Sequence, residues 1–194
     1  MRKILFAALT FASISLGATN TNPVNEVESK NIKTDVSTIQ WTGKKVTGSH
    51  TGTINIKSGS LEFDNGNLTG GNIVIDMNTI VCTDLSGGGA KKLVGHLKSD
   101  DFFGVADHPT AELNITKVDM NKDAGTYEIT ADITIKGKTK SISFPASIGT
   151  AEASSTVTID RTDFDIRYGS GSFFDNLGDK TIYDDFELVI NLQY

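Results

Sequence analysis

A single cysteine in 194 residues excludes an intramolecular disulfide. That residue, Cys82, ends the apolar run NIVIDMNTIVC and reads as a small buried hydrophobe. No base lies close to it in sequence to make it a catalytic thiol. Histidine is almost as scarce: His50, His96 and His108 are the full set. None belongs to the HExxH spacing of helical zinc sites. His96 and His108 stand twelve apart with no third ligand suitably spaced, so no metal is expected. Gly169–Ser172 (GSGS) has neither the lysine nor the following helix of a P-loop. GSHTG lacks the central serine of a nucleophile elbow. The acids Asp100 and Asp101, Asp163 and Asp165, and Asp184 and Asp185 fall close together, as in many acidic β-proteins, without a glycosidase geometry. No catalytic residue and no cofactor are expected.

Positive charge is also short. Eighteen Lys and Arg face 24 Asp and Glu, a formal net charge of −6. This balance argues against nucleic acid as a partner and against adhesion to anionic membranes. Beyond the N-terminus no apolar run could span a bilayer. The N-terminus, MRKILFAALTFASISLGATN, places Arg2 and Lys3 before an apolar stretch from Ile4 to about Leu16 and closes in small residues. That is the layout of a secretory signal peptide, taken here as residues 1–18, and it is too short for a membrane span. With no cysteine at its end, a lipid-anchored N-terminus is excluded. Loss of Arg2 and Lys3 would leave 16 basic against 24 acidic residues, a net charge near −8. The remaining chain is expected to be soluble and exported.

Residues 19–34 are polar and interrupted by Pro23 and several asparagines, which reads as a flexible lead-in. From Asp35 onward, short alternating segments follow one another. Ile54 and Ile56 share a face, as do Ile73, Ile75 and Met77, then Ala111, Leu113 and Ile115. The cleanest alternation is Tyr127, Ile129, Ala131, Ile133 and Ile135, followed by Ile142 and Phe144, then Val157 and Ile159. The chain ends on Phe186, Leu188, Ile190 and Leu192. Asn65-Gly66 and Gly137-Lys138 signal tight turns. Period-two patterning predicts antiparallel strands with one dry face, arranged as a sandwich or barrel. About eight strands can close into a barrel that holds either a packed core or one ligand. One Trp and four Tyr supply little bulk to fill it.

One stretch breaks the pattern. In KKLVGHLKSDDFFGVADHP, Leu93, Val94 and Leu97 form one stripe of a short helix. Gly87–Gly89 give it a flexible entry, and Pro109 marks the exit. His96 and His108 read as hydrogen-bonding anchors there. Phe102, Phe103, Phe164, Phe173 and Phe174 lie outside the clean strands, either as core or at the mouth of an apolar cavity.

The ordered set WTGKKVTGSHTGTINIKSGSLEF, GGNIVIDMNTI, HLKSDDFFGVADHPTAELNITKV, ITADITIKGKTKSISFPASI, IDRTDFDIRYGSG and DDFELVINL resembles the YceI-like lipid/polyisoprenoid-binding family. The resemblance runs from about Asp35 to Tyr194. It implies an all-β fold, an eight-stranded antiparallel lipocalin-like barrel with a short helix between strands. It also implies an apolar channel for a long isoprenoid or related lipid, and a periplasmic location. Asp165 stands where the family often has glycine, and the three glycines before Lys91 are unusual. On this reading the ligand-binding residues are Ile54, Ile75, Met77, Leu113, Ile133 and Phe144 inside the barrel, with Leu93, Leu97, Phe102 and Phe103 as a lid. Arg161, Arg167, Lys91 or Lys92 would offer charge to a head group. The alternatives are a metal-dependent hydrolase using His50, His96 or His108, and a fully packed structural or stress-related barrel. A homodimer is compatible with the sequence.

Overall fold

The computed structural model describes residues 27–121 and 125–194. The expected signal peptide therefore lies outside the described residues. Eight strands run in chain order around a closed antiparallel barrel: β2 (Thr38–Lys45), β3 (Gly48–Asp64), β4 (Asn67–Cys82), β5 (Thr110–Asn121), β6 (Thr126–Ile135), β7 (Lys138–Ile148), β8 (Glu152–Asp160) and β9 (Ile182–Gln193). Pairing of β2 with β9 closes the sheet on itself. A helix, α1 (Gly87–Lys98), interrupts the meander between β4 and β5.

A ninth strand, β1 (Val27–Asn31), falls inside the stretch that the sequence suggests as a lead-in. Its sequence, VESKN, carries no buried alternation. It is held by the far half of β3, where Val27 pairs with Asp64 and Asn31 with Ser60. The near half of β3 pairs with β2, so β1 and β2 occupy one barrel position in two pieces.

The turns follow backbone chemistry. Asn65 and Gly66 have φ of 50° and 79°, the left-handed pair of a two-residue hairpin. The second such turn is Lys136-Gly137, with φ of 50° and 71°, one residue earlier than the sequence suggests. Gly87–Gly89 are not an entry loop but the first turn of α1. After α1 the chain doubles back, as the amides of Phe103 and Val105 donate to the carbonyls of Leu97 and Lys98 at 3.1 and 3.0 Å. This fold-back lays Phe102 and Phe103 over one end of the barrel.

Burial inside the barrel is uneven. On β6 all five inward residues, Tyr127 to Ile135, are buried. Ile73 and Ile75 on β4, Leu113 and Ile115 on β5, and Phe186, Leu188 and Ile190 on β9 are only partly buried. These residues pack against the core and also line open space inside the barrel. Outward positions on β6 are Glu128, Thr130, Asp132 and Thr134, the reverse of a lipid-facing strand. Among the described residues, no helix is long and apolar enough to cross a membrane.

Candidate functional site

The partly buried walls enclose a cavity of about 150 Å³ whose lining is almost wholly apolar. Ile54, Ile75, Met77, Leu113 and Ile133 contribute from the strands, and Leu97, Phe102 and Phe103 from the cap. The Phe102 and Phe103 rings meet edge to face at 5.0 Å, and Phe103 reaches Phe186 on β9 at 6.3 Å. The cap is thereby tied to the far wall. A second cavity of about 60 Å³ adjoins it and holds Phe144 in its wall. Ile73, Leu113 and Ile190 border both spaces. Leu93 lines neither and packs, half-buried, from α1 against the core.

Several lining residues escape sequence reasoning. Trp41, the sole tryptophan, lines the cavity and donates its indole N–H to the carbonyl of Val81 at 3.1 Å. It can lie there because Gly52 has no side chain: a Cβ would sit 2.5 Å from the indole and 1.8 Å from the Val81 oxygen. The cavity reaches the surface where the β2–β9 register slips between Gly43 and Lys45. There β9 bulges through Tyr183, Asp184 and Asp185, and the exposed lining residues Lys44, Tyr183 and Asp185 form a rim, while Glu112 on β5 is a further exposed lining residue.

Arg161 is not a rim charge. It is 1% exposed, and it donates to the carbonyls of Tyr183, Ile166 and Ile182 at 3.2, 2.6 and 3.1 Å and to Asp184 at 3.2 Å. The bonds to Ile182, Tyr183 and Asp184 hold the bulge in place; four of the five guanidinium N–H groups are thus engaged, and the group's face lies toward the Phe102 ring, 5.6 Å away. Arg167 is engaged with Asp165 at 2.8 Å. Asp165 adopts φ 59°, the left-handed backbone that glycine takes without strain, which accounts for the departure noted in the sequence. Its carboxylate recovers two ion pairs there, with Lys138 at 2.7 Å and with Arg167. Lys91 and Lys92 are exposed on α1 and contact no cavity.

The histidines do not converge. His50 pairs with Asp84 at 2.8 Å. The His96 ring lies against Tyr168 at 4.4 Å and Phe102 at 5.6 Å, and its buried Nε2 has no hydrogen-bond partner, so it is a packing residue rather than a hydrogen-bonding anchor. His108 packs over the Lys136-Gly137 turn, where a Cβ on Gly137 would come within 3.1 Å of its ring. Among the described residues, no group of three or more His, Cys, Asp or Glu is placed to hold a metal ion. Asp84 also accepts from the Cys82 thiol and the Thr51 amide, both at 3.1 Å. Bonds from His50, Cys82 and Thr51 hold its carboxyl well below the usual carboxylate range. Burial and the Asp84 carboxylate push the Cys82 thiol up, the opposite of what a nucleophile needs.

A family model for the YceI-like domain matches residues 31–194. Among curated proteins, a UPF0312 protein of Pectobacterium atrosepticum is 30% identical over 97 residues, 50% of this chain and 47% of that one. A UPF0312 protein of Pseudomonas aeruginosa is 32% identical over 97 residues, 50% and 48% of the two chains. The match therefore spans about half the length of these relatives. In shape the chain is similar to BcnA of Burkholderia cenocepacia, with a TM-score of 0.65, 18% identity, and 83% of this chain and 98% of that one covered. It is also similar to a polyisoprenoid-binding domain from Saccharophagus degradans implicated in plant cell wall breakdown, with a TM-score of 0.57, 14% identity, and 87% and 99% covered. At these identities the likeness establishes the fold.

Proposed function

The chain belongs to the YceI-like domain family, and from that premise we propose that it is a carrier for one long apolar chain, an isoprenoid or similar lipid, working in the periplasm after export. The observation that carries this reading is the unfilled apolar interior, where inward residues on β4, β5 and β9 face space. A structural neighbour described as a polyisoprenoid-binding domain supports the choice of ligand. The leader-like N-terminus supports export.

Size and energy agree with a slim hydrocarbon. A dry apolar cavity of about 150 Å³ holds a six-carbon ring, so the first space takes about one five-carbon isoprene unit. A longer chain reaches the second space past Ile73, Leu113 and Ile190. At ~0.8 kcal/mol per buried carbon, each unit contributes roughly 3–4 kcal/mol gross, and ordering and association offset much of that. Such a site selects for length and slimness, with Lys44 and Asp185 left at the rim for a head group. The reading is binding rather than catalysis: the enclosed surface is almost wholly apolar, with Lys44, Glu112, Arg161, Tyr183 and Asp185 the ionisable residues of its lining.

Trp41 gives a direct test, being the sole tryptophan and part of the cavity wall. Titration with a polyprenol should change its emission saturably, at one ligand per chain. Unchanged emission together with no retained polyprenol would overturn the proposal.

A further inference from the structure

Four aromatic side chains stand in water at the capped end of the barrel. Tyr168, Phe173, Phe174 and Tyr183 are 49%, 47%, 51% and 52% exposed. All four lie between the 3-10 turn at Arg161–Phe164 and the first residues of β9. The segment is anchored. The Ile182 amide donates to Gly169 at 2.8 Å, and the Phe173 and Phe174 amides donate to the Ser170 carbonyl at 3.2 and 3.0 Å. Ser170 itself is fully buried, and the Ser172 hydroxyl donates to Asp184 at 2.6 Å. The Arg167 guanidinium lies over the Phe173 ring at 4.5 Å, and Tyr168 packs on His96 of α1. A tethered backbone thus holds these rings outward, and clustered exposed aromatics on a water-soluble surface mark something that covers them.

Position and charge identify the cover. Tyr183 is one of these four residues and also stands at the cavity rim, and the Ser170–Ile182 bridge brings the rest of the segment beside it. The cargo proposed above resides in a bilayer before capture. Between 167 and 183, Arg167 and Lys180 balance Asp175 and Asp179, while the whole chain carries −6. A neutral, aromatic rim suits the headgroup zone of a zwitterionic bilayer, where amphipathic rings settle, and lacks the cationic patch that anionic lipid recruits. We infer that residues 167–183 form a membrane-docking rim that seats the barrel mouth on a zwitterionic lipid surface, so that a chain passes from bilayer to cavity without crossing water. This rests on the carrier reading.

The test is flotation of the full chain with phosphatidylcholine and phosphatidylethanolamine vesicles, beside Phe173→Ala/Phe174→Ala and a control, Met120→Ala. Met120 is an exposed apolar residue near the end of β5 remote from α1. All three carry the same N-terminal segment, so differences between them isolate the rim. The wild type and the control should float. The double variant should partition about 10-fold more weakly or worse, and high salt should leave wild-type binding nearly unchanged. Polyprenol supplied without vesicles should still alter Trp41 emission in the double variant, because neither phenylalanine lines the cavity. Equal flotation of the double variant overturns the inference. So does a wild type that stays in solution, the behaviour of a rim built for another protein. If Trp41 stays silent in every variant while the flotation difference holds, docking stands and the carrier reading falls.

Discussion

Leu113→Trp tests the internal geometry most sharply, because Leu113 borders both cavities. A larger ring there closes the junction and leaves most of the larger space of about 150 Å³ open. The second space of about 60 Å³ takes less than half of what the first one holds, so about two carbons lose their berth, at roughly 1–2 kcal/mol gross. After ordering costs are set against this, binding of a long polyprenol should weaken by about 3- to 10-fold. Inserted bulk in a packed core costs typically 1–3 kcal/mol. Here the void absorbs part of the ring, so a loss near 1 kcal/mol is expected, a drop in Tm of roughly 2–4 °C. The assay is Trp41-independent competition for a fluorescent polyprenyl probe, run over a ladder of chain lengths. Wild-type affinity should climb until both spaces fill, part-way into the second unit, and the variant should stop after about one. An equal gain per unit in both proteins would refute the two-chamber reasoning.

Arg161→Met strips the Tyr183, Ile166 and Ile182 carbonyls and Asp184 of their donor at a buried site. A loss of roughly 3 kcal/mol is expected, a drop in Tm of roughly 6–12 °C, measured by thermal unfolding. Gly52→Ala drives a Cβ into the Val81 carbonyl and the Trp41 ring, so thermal unfolding should show a loss of roughly 2–3 kcal/mol or more and Trp41 emission should shift. Asp84 has a depressed folded-state pKa, so its contribution to stability is full above the ordinary carboxylate range and fades as pH falls through and below it. Asp84→Asn should therefore flatten the acid limb of a denaturation-midpoint profile. It should also speed alkylation of Cys82 at mildly alkaline pH, since the carboxylate that helps raise the thiol is gone.

Much of the barrel was legible because alternation is a local property. The inward set of β6 reads straight from Tyr127 to Ile135, and the stripe of α1 from Leu93 to Leu97. Eight of the ten residues suggested for the ligand site line the larger cavity, Phe144 lines the smaller one, and Leu93 packs outside both. What alternation cannot tell is whether an inward face meets side chains or space. Ile75 and Ile56 look alike in sequence, yet Ile75 lines the larger cavity and Ile56 is packed core that lines neither. Long-range pairing hid the rest. VESKN becomes a strand only beside the far half of a 17-residue β3. Arg161 reads as a free charge in sequence because three of its four acceptors lie more than twenty residues on. Lys44 and Asp185 reach the rim through a register slip that no local pattern encodes.

The central claim is that the barrel interior carries a long apolar chain. Organic-solvent extraction of protein purified without detergent, followed by mass spectrometry, tests it most directly. The account predicts a long isoprenoid or similar lipid approaching one per chain, depleted in Leu113→Trp. An extract free of such lipid, from protein that also takes up no polyprenyl probe, would contradict it.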